Sequence, residues 1–181
     1  MNDDTDELFR LVRDGNVKQL QELLQNNEDI NINCTRWSGF SLLHRAAGLG
    51  MSEICELLIL HGADVKMRST RGWYTPLHIA LANGYVDTAM VLVEHGANPW
   101  SKSKYKEDPF EYGGKRGFRR ISEEFRIKVM KLEMNKNLQR HKDLLQVKNH
   151  YSDDEDNDIA ENEGTVGDSH GAASNPDDSN E

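Results

Sequence analysis

The feature that most constrains this chain is that it repeats itself. The stretch GFSLLHRAAGLGMSEICELLILHGADV, Gly39 to Val65, is followed by GWYTPLHIALANGYVDTAMVLVEHGANP, Gly72 to Pro99. His44 and His78, Gly50 and Gly84, and Gly62 and Gly96 are each 34 residues apart, whereas the leading glycines Gly39 and Gly72 are 33 apart. One extra residue in Gly72-Trp73-Tyr74-Thr75, against Gly39-Phe40-Ser41, accounts for the difference. A period of this size marks stacked supersecondary units, each too small to bury its apolar face without a neighbour.

Within each copy the apolar residues recur at helical spacing. Leu42, Leu43, Ala46 and Ala47 form one stripe, and Ile54, Leu57, Leu58 and His61 a second. Small alanines allow paired helices to approach closely. Gly62 and Gly96 suit the left-handed residue that closes a helix, and Pro76 suits a first helical turn. Weaker copies flank the clear ones. Asp6 to Asn33 keeps a central Asp14-Gly15-Asn16 turn, a second-helix pattern of Val17, Leu20, Leu23 and Leu24, and an Asp29-Ile30-Asn31 ending. Downstream, Pro109 follows Pro76 by 33 residues, and Gly117 follows Gly84 by 33.

Thr75-Pro76-Leu77-His78-Ile79-Ala80 resembles the T-P-L-H-x-A signature of the ankyrin repeat, whose period is about 33 residues. Ser41-Leu42-Leu43-His44-Arg45-Ala46 is similar but lacks the proline, and His61-Gly62-Ala63-Asp64 and His95-Gly96-Ala97-Asn98 resemble the family's helix ending. The resemblance covers roughly residues 6–130. It implies an all-α fold, a short ankyrin-repeat solenoid of about four repeats with divergent first and last caps, and β-turn fingers. Repeats are expected near 6–35, 36–69, 70–102 and 103–133, within a domain spanning 1–133. A basic helical extension, 134–151, and a disordered acidic tail, 152–181, are expected to follow. The resemblance gives His44 and His78 a structural role, bonding backbone near the turn, and makes Gly62 and Gly96 structural as well.

It also implies a protein partner, bound by the finger tips and the exposed side of the first helices. The register places Thr35, Arg36, Trp37 and Ser38, then Thr70, Arg71, Trp73 and Tyr74, then Lys104 and Tyr105, at the tips. Arg45, Gly48 and Leu49, then Ile79, Ala82 and Asn83, fall on the first helices. The partner-binding candidates are Arg36, Trp37, Arg45, Leu49, Arg71, Trp73, Tyr74, Ile79, Asn83 and Tyr105. Tryptophan, tyrosine and arginine are the types enriched among interface hot spots. Trp37, Trp73 and Trp100 have a second reading, as core packed against neighbouring hairpins.

Charge divides the rest of the chain. Residues 152–181 hold 11 acidic and no basic residues, and their only large aliphatics are Ile159 and Val166. Such a segment cannot bury enough apolar surface to offset ordering entropy. Ser152, before Asp153-Asp154-Glu155, is a candidate phosphosite for an acidophilic kinase such as casein kinase II. Residues 99–151 hold 14 basic against 7 acidic residues. Ile121, Phe125, Val129 and Leu132 continue a helix there, the pattern weakens through Asn135-Lys136-Asn137, and a second piece runs from Leu138 to Lys148. These pieces read as a cap over the last repeat. The basic patch Lys115, Arg116, Arg119 and Arg120 supports an alternative function, binding of nucleic acid or an acidic surface by residues 102–148, modulated by the acidic tail.

Other classes are excluded by what the sequence lacks. No stretch approaches the ~20 apolar residues of a membrane helix, and the acidic start MNDDTDELFR is neither a secretory signal nor a transit peptide. Two cysteines, Cys34 and Cys55, make neither a disulfide framework nor a four-ligand zinc site. No phosphate loop, dinucleotide fingerprint, H-E-x-x-H or G-x-S-x-G motif is present. The expectation is a non-catalytic, monomeric interaction module in the cytoplasm or nucleus, with no cofactor and no metal: an adaptor, inhibitor or assembly factor.

Overall fold

The computed structural model describes residues 3–27 and 29–152, with backbone only at residue 3 and at 147–152. Its elements are α1 (Asp3–Asp14), α2 (Val17–Asn26), β1 (Thr35–Arg36), β2 (Phe40–Ser41), α3 (Leu42–Gly48), α4 (Ser52–Leu60), α5 (Pro76–Ala82), α6 (Val86–Glu94), α7 (Pro109–Gly113) and α8 (Arg119–Ser152). A π-helical turn, Gly114–Phe118, broken by left-handed Gly117, joins α7 to α8. The helices thus come as four consecutive pairs, each joined by a short turn. Among the described residues only the first finger forms a strand ladder, β1 with β2, pairing Thr35 with Ser41 and Arg36 with Phe40.

Local sequence explains where helices start. Ser41, Thr75 and Asp108 each accept a hydrogen bond from the backbone N–H three residues on, and in each case that third residue bonds back to the cap. Pro76 and Pro109 follow two of these caps, at positions where a missing N–H costs nothing. Asn16 caps α2 by accepting from the Gln19 N–H at 3.2 Å. The other junctions use one repeated device. The N–H groups of Asn16, Met51 and Tyr85 reach back five residues to the carbonyls of Leu11, Ala46 and Ala80, around left-handed Gly15, Gly50 and Gly84. Ala63 and Ala97 make the same bond to Leu58 and Leu92, around Gly62 and Gly96 at φ 93° and 91°.

The described residues fall into two units that divide between Asn135 and Lys136. The core of the first unit runs from Leu8, Leu11 and Val12 through Leu20, Leu42, Leu43, Ile54, Leu58, Leu77, Leu81 and Leu92 to Phe110, Phe125 and Val129. The second-helix stripe differs in part from its expected form. Cys55 is buried where Leu57 is only partly so, and His61 is exposed. The exposed His61 ring donates from Nδ1 to the Leu57 carbonyl at 2.9 Å, and His95 does the same to Val91. These rings therefore serve the helix end rather than the core. Helix α8 runs through Asn135-Lys136-Asn137 as one element where two helical pieces were expected. An asparagine in a helix costs only some tenths of a kcal/mol, and the flanking Lys, Leu, Glu and Met are strong helix formers. The acidic tail beyond Ser152 lies outside the described residues, as does the side chain of Ser152.

Candidate partner-binding surface

Successive repeats are fastened by polar ladders, and these fix what remains exposed. The Ser41 N–H donates to His44 Nδ1 at 3.2 Å, with Ser41 Oγ 2.8 Å from the same nitrogen. An accepting Nδ1 leaves the ring proton on Nε2, which donates to the Tyr74 carbonyl in the next repeat at 2.8 Å. His78 repeats the arrangement with Thr75 and donates from Nε2 to the Glu107 carbonyl at 3.2 Å. Burial holds both imidazoles far below their ordinary pKa, at about 4, so they are neutral. In the last pair Glu111 takes the histidine's place. Its Oε2 accepts from the Asp108 N–H at 2.8 Å and from Lys102 Nζ at 3.1 Å.

The fingers are joined through backbone. The Thr70 N–H donates to the Ser38 carbonyl at 2.8 Å, and the Lys104 N–H donates to the Gly72 carbonyl at 2.9 Å. Asn33 ties the first two loops together, donating to the Gly62 carbonyl and accepting from the Asp64 N–H. With the fingers held in line, Trp37 is 81%, Tyr105 65% and Trp73 49% exposed. Trp100 takes the other reading. It packs 5.4 Å from the Phe110 ring and donates from Nε1 to Glu133 at 3.2 Å.

The expected site residues divide into three groups. Arg36, Trp37, Arg45, Ile79 and Asn83, together with Gly48, line one groove of about 590 Å³. Arg71, Trp73 and Tyr105 stand exposed along the fingers but are not among the residues lining it. Tyr74 is half-buried, stacked 4.4 Å from Tyr112, and Leu49 is half-buried at the C-cap of α3. Burial and the neighbouring Tyr112 push the Tyr74 hydroxyl up to about 12. Ala82, expected on the exposed side of α5, is buried instead. It is not one of the residues of the core cluster.

The groove has residues that the sequence reading did not assign to it. Asp6, Phe9, Arg10 and Arg13 come from α1, and Phe40 comes from β2. The signal was available in the register. α1 is the first helix of its pair, so its outward residues share the face of Arg45 and Ile79. Arg36 sits at the centre of this cluster. Its guanidinium lies 4.9 Å from the Phe9 ring and 5.6 Å from the Trp37 ring, and it pairs with Asp6. Arg10 pairs with Glu7, and Arg13 with Asp14 at 2.9 Å. Among the described residues Arg45 has no acidic partner.

The basic patch is partly neutralised. Lys115 pairs with Glu107 and Arg120 with Glu124 at 3.5 Å, while Arg116 and Arg119 are exposed. Lys102, at the start of the basic segment, is shared by Asp108 and Glu111. Among the described residues, no cluster of His, Cys, Asp or Glu is placed to hold a metal, and no helix is long and apolar enough to cross a membrane.

Comparison with known proteins decides the family. A family model described as ankyrin repeats, three copies, matches residues 8–103. The chain belongs to the ankyrin-repeat family. Among ankyrin relatives, the Notch-regulated ankyrin repeat-containing protein of Xenopus tropicalis is 38% identical over 96 residues, which is 52% of this chain and 77% of that one. The human protein of that name is 36% identical over 96 residues, with the same shares. Mouse protein phosphatase 1 regulatory subunit 27 is 36% identical over 87 residues, 48% of this chain. The chain spans about half the length of that regulatory subunit, 55%. The α7–α8 pair lies beyond the three ankyrin copies that the family model matches.

Proposed function

We propose that this chain is a non-catalytic protein-binding module, an adaptor, inhibitor or assembly factor, whose partner lies across the fingers and the outward side of the first helices. The observation that carries this reading is the groove. Three successive first helices and one finger contribute arginine, aromatic and aliphatic side chains to a single concave surface, the composition of an interface centre. Trp73 adds support. Its left-handed backbone, φ 55°, is the finger's own turn and recurs at Ser38 and Lys106, but its ring stands half in water at a finger tip. One relative is named a regulatory subunit of a phosphatase, and another is named as a Notch-regulated ankyrin repeat-containing protein. The pairing of Lys102, Lys115 and Arg120 with nearby carboxylates weakens the nucleic-acid alternative, since a cation already paired neutralises less phosphate charge and so displaces fewer of the nucleic acid's counterions.

We read α7–α8 up to about residue 133 as a fourth, closing repeat. Its Asp108–Glu111 cap and left-handed Gly117 reproduce the register of the copies before it. Cys34 and Cys55 are free, and burial pushes the Cys55 thiol up to about 12, as suits an intracellular protein.

The test is affinity capture from source lysate, with nuclease treatment, using wild type and two double variants, Trp37→Ala/Arg45→Ala and Arg71→Ala/Trp73→Ala. Circular dichroism confirms that each variant folds. Proteins captured by wild type and lost with either variant are the expected result. A captured set identical across all three refutes binding through this surface.

A further inference from the structure

We propose that the groove binds an acidic peptide segment anchored by one large apolar side chain. This rests on the protein-binding reading above and names the chemistry of the partner. The rim carries Arg10, Arg13, Arg36 and Arg45; the first three pair with Glu7, Asp14 and Asp6, and Arg45 alone has no acidic partner among the described residues. Phe9, Phe40 and Ile79 supply an apolar floor, and Gly48 leaves it open, since a Cβ there would lie 3.0 Å from the Ile79 side chain. A volume of about 590 Å³ falls within the ~300–1,000 Å³ of binding pockets. It accepts a large side chain with adjoining backbone.

The chain itself shows how the groove takes a carboxylate. Asp6 pairs with the Arg36 guanidinium, which lies 4.9 Å from the Phe9 ring and 5.6 Å from the Trp37 ring. A guanidinium held against aromatic rings has less rotamer freedom left to lose when a carboxylate binds it. Arg45 is the cation that a partner would satisfy. It stands exposed on α3, beside Gly48 and the apolar floor, without an acidic partner among the described residues. Carboxylates flanking one aromatic or large aliphatic residue answer both parts of this surface. A nucleic acid answers them less well. Its bases can stack on Trp37, but its continuous phosphates would run past Asp6, Glu7 and Asp14.

The experiment pans a phage-displayed random dodecapeptide library against the full chain. The enriched sequence is then synthesised with a fluorescein label and titrated by anisotropy against wild type, Arg45→Glu, Trp37→Ala and Arg71→Ala/Trp73→Ala. Salt is set at about 50 and about 300 mM. A labelled twelve-nucleotide oligothymidylate serves as the nucleic-acid probe. Enriched peptides are expected to be rich in Asp and Glu about a single Phe, Trp, Leu or Ile. Arg45→Glu should weaken binding about tenfold or more, with the loss greatest at low salt. Trp37→Ala should also weaken it about tenfold. Neutral or basic winners, no enrichment, or oligothymidylate binding more tightly than the peptide overturns the inference. So does peptide binding that neither groove variant changes. If that binding falls only with Arg71→Ala/Trp73→Ala, the chain still binds protein through its fingers and the groove assignment alone has failed.

Discussion

Acidification should loosen the repeat stack through its two ladder histidines before the carboxylates titrate. His44 and His78 each accept at Nδ1 from their own N-cap residue and donate from Nε2 to the next repeat. Both are buried and neutral, with pKa about 4. An unfolded histidine titrates near ~6.5. The folded state therefore binds fewer protons between these values, so stability is complete above about pH 6.5 and falls as pH drops toward 4. Protonation would also remove the Nδ1 acceptor and break the cap. Integrating the linkage from pH 7.5 to 5.5 gives a loss of about 1.4 kcal/mol per histidine, near 3 kcal/mol for the pair. That is a large share of the ~5–15 kcal/mol of a typical domain. Glu111 acts in the same sense but over a lower pH window. The Asp108 N–H and Lys102 hold its pKa below the carboxylate range, so its contribution is lost only below about pH 4.5. Urea unfolding followed at 222 nm, every half unit from pH 7.5 to 5.5, reads the effect. With a slope of about 1–3 kcal/mol per molar urea, the midpoint should fall by about 1–3 M. His44→Gln or His78→Gln should halve the pH dependence as well as lower the starting stability. A midpoint flat over this range, or a pH dependence equal in wild type and both variants, would refute the burial argument.

Two further outcomes are expected. Leu92→Ala should cost about 2–5 kcal/mol, because the side chain is fully buried in α6. Leu57→Ala, only partly buried, should cost roughly half as much in the same denaturant titration. Gly84→Ala should cost more than Gly96→Ala, although both glycines are left-handed. At Gly96 a new Cβ meets nothing within 4 Å, so only the backbone penalty of about 1 kcal/mol applies. At Gly84 it would lie 2.7 Å from the Phe118 ring, adding an overpacking cost of about 1–3 kcal/mol. Phe118→Ala should recover part of that loss in a double-mutant cycle, and equal costs at the two glycines would contradict the packing.

Phe118 on Gly84 belongs to a series that the repeat pattern left unread. Met51 sits over Gly15 and Tyr85 over Gly50, in each case the residue after one inter-helix glycine covering the glycine of the preceding repeat. The residue types Met, Tyr and Phe share no chemistry that a motif would capture. What they share is a position that only stacking brings against a bare backbone. The ladder histidines were different, because their spacing and their Ser or Thr caps are written in the sequence.

The sequence by itself determined the repeat, its register, the capped helix starts and the glycine-closed helix ends, since each follows from local periodicity and backbone preference. It also placed Arg36, Trp37, Arg45, Ile79 and Asn83 on the outward side. Tertiary structure decided which of the outward residues meet. The groove needs α1, which lacks the signature, to align with α3 and α5 so that Phe9 can stack on Arg36 and Asp6 can pair with it. It also decided that Trp100 turns in toward Phe110 while Trp37 stays in water. A tryptophan has the same local preferences in both places. Its burial depends on whether another element, here α8 with Glu133, arrives to cover it.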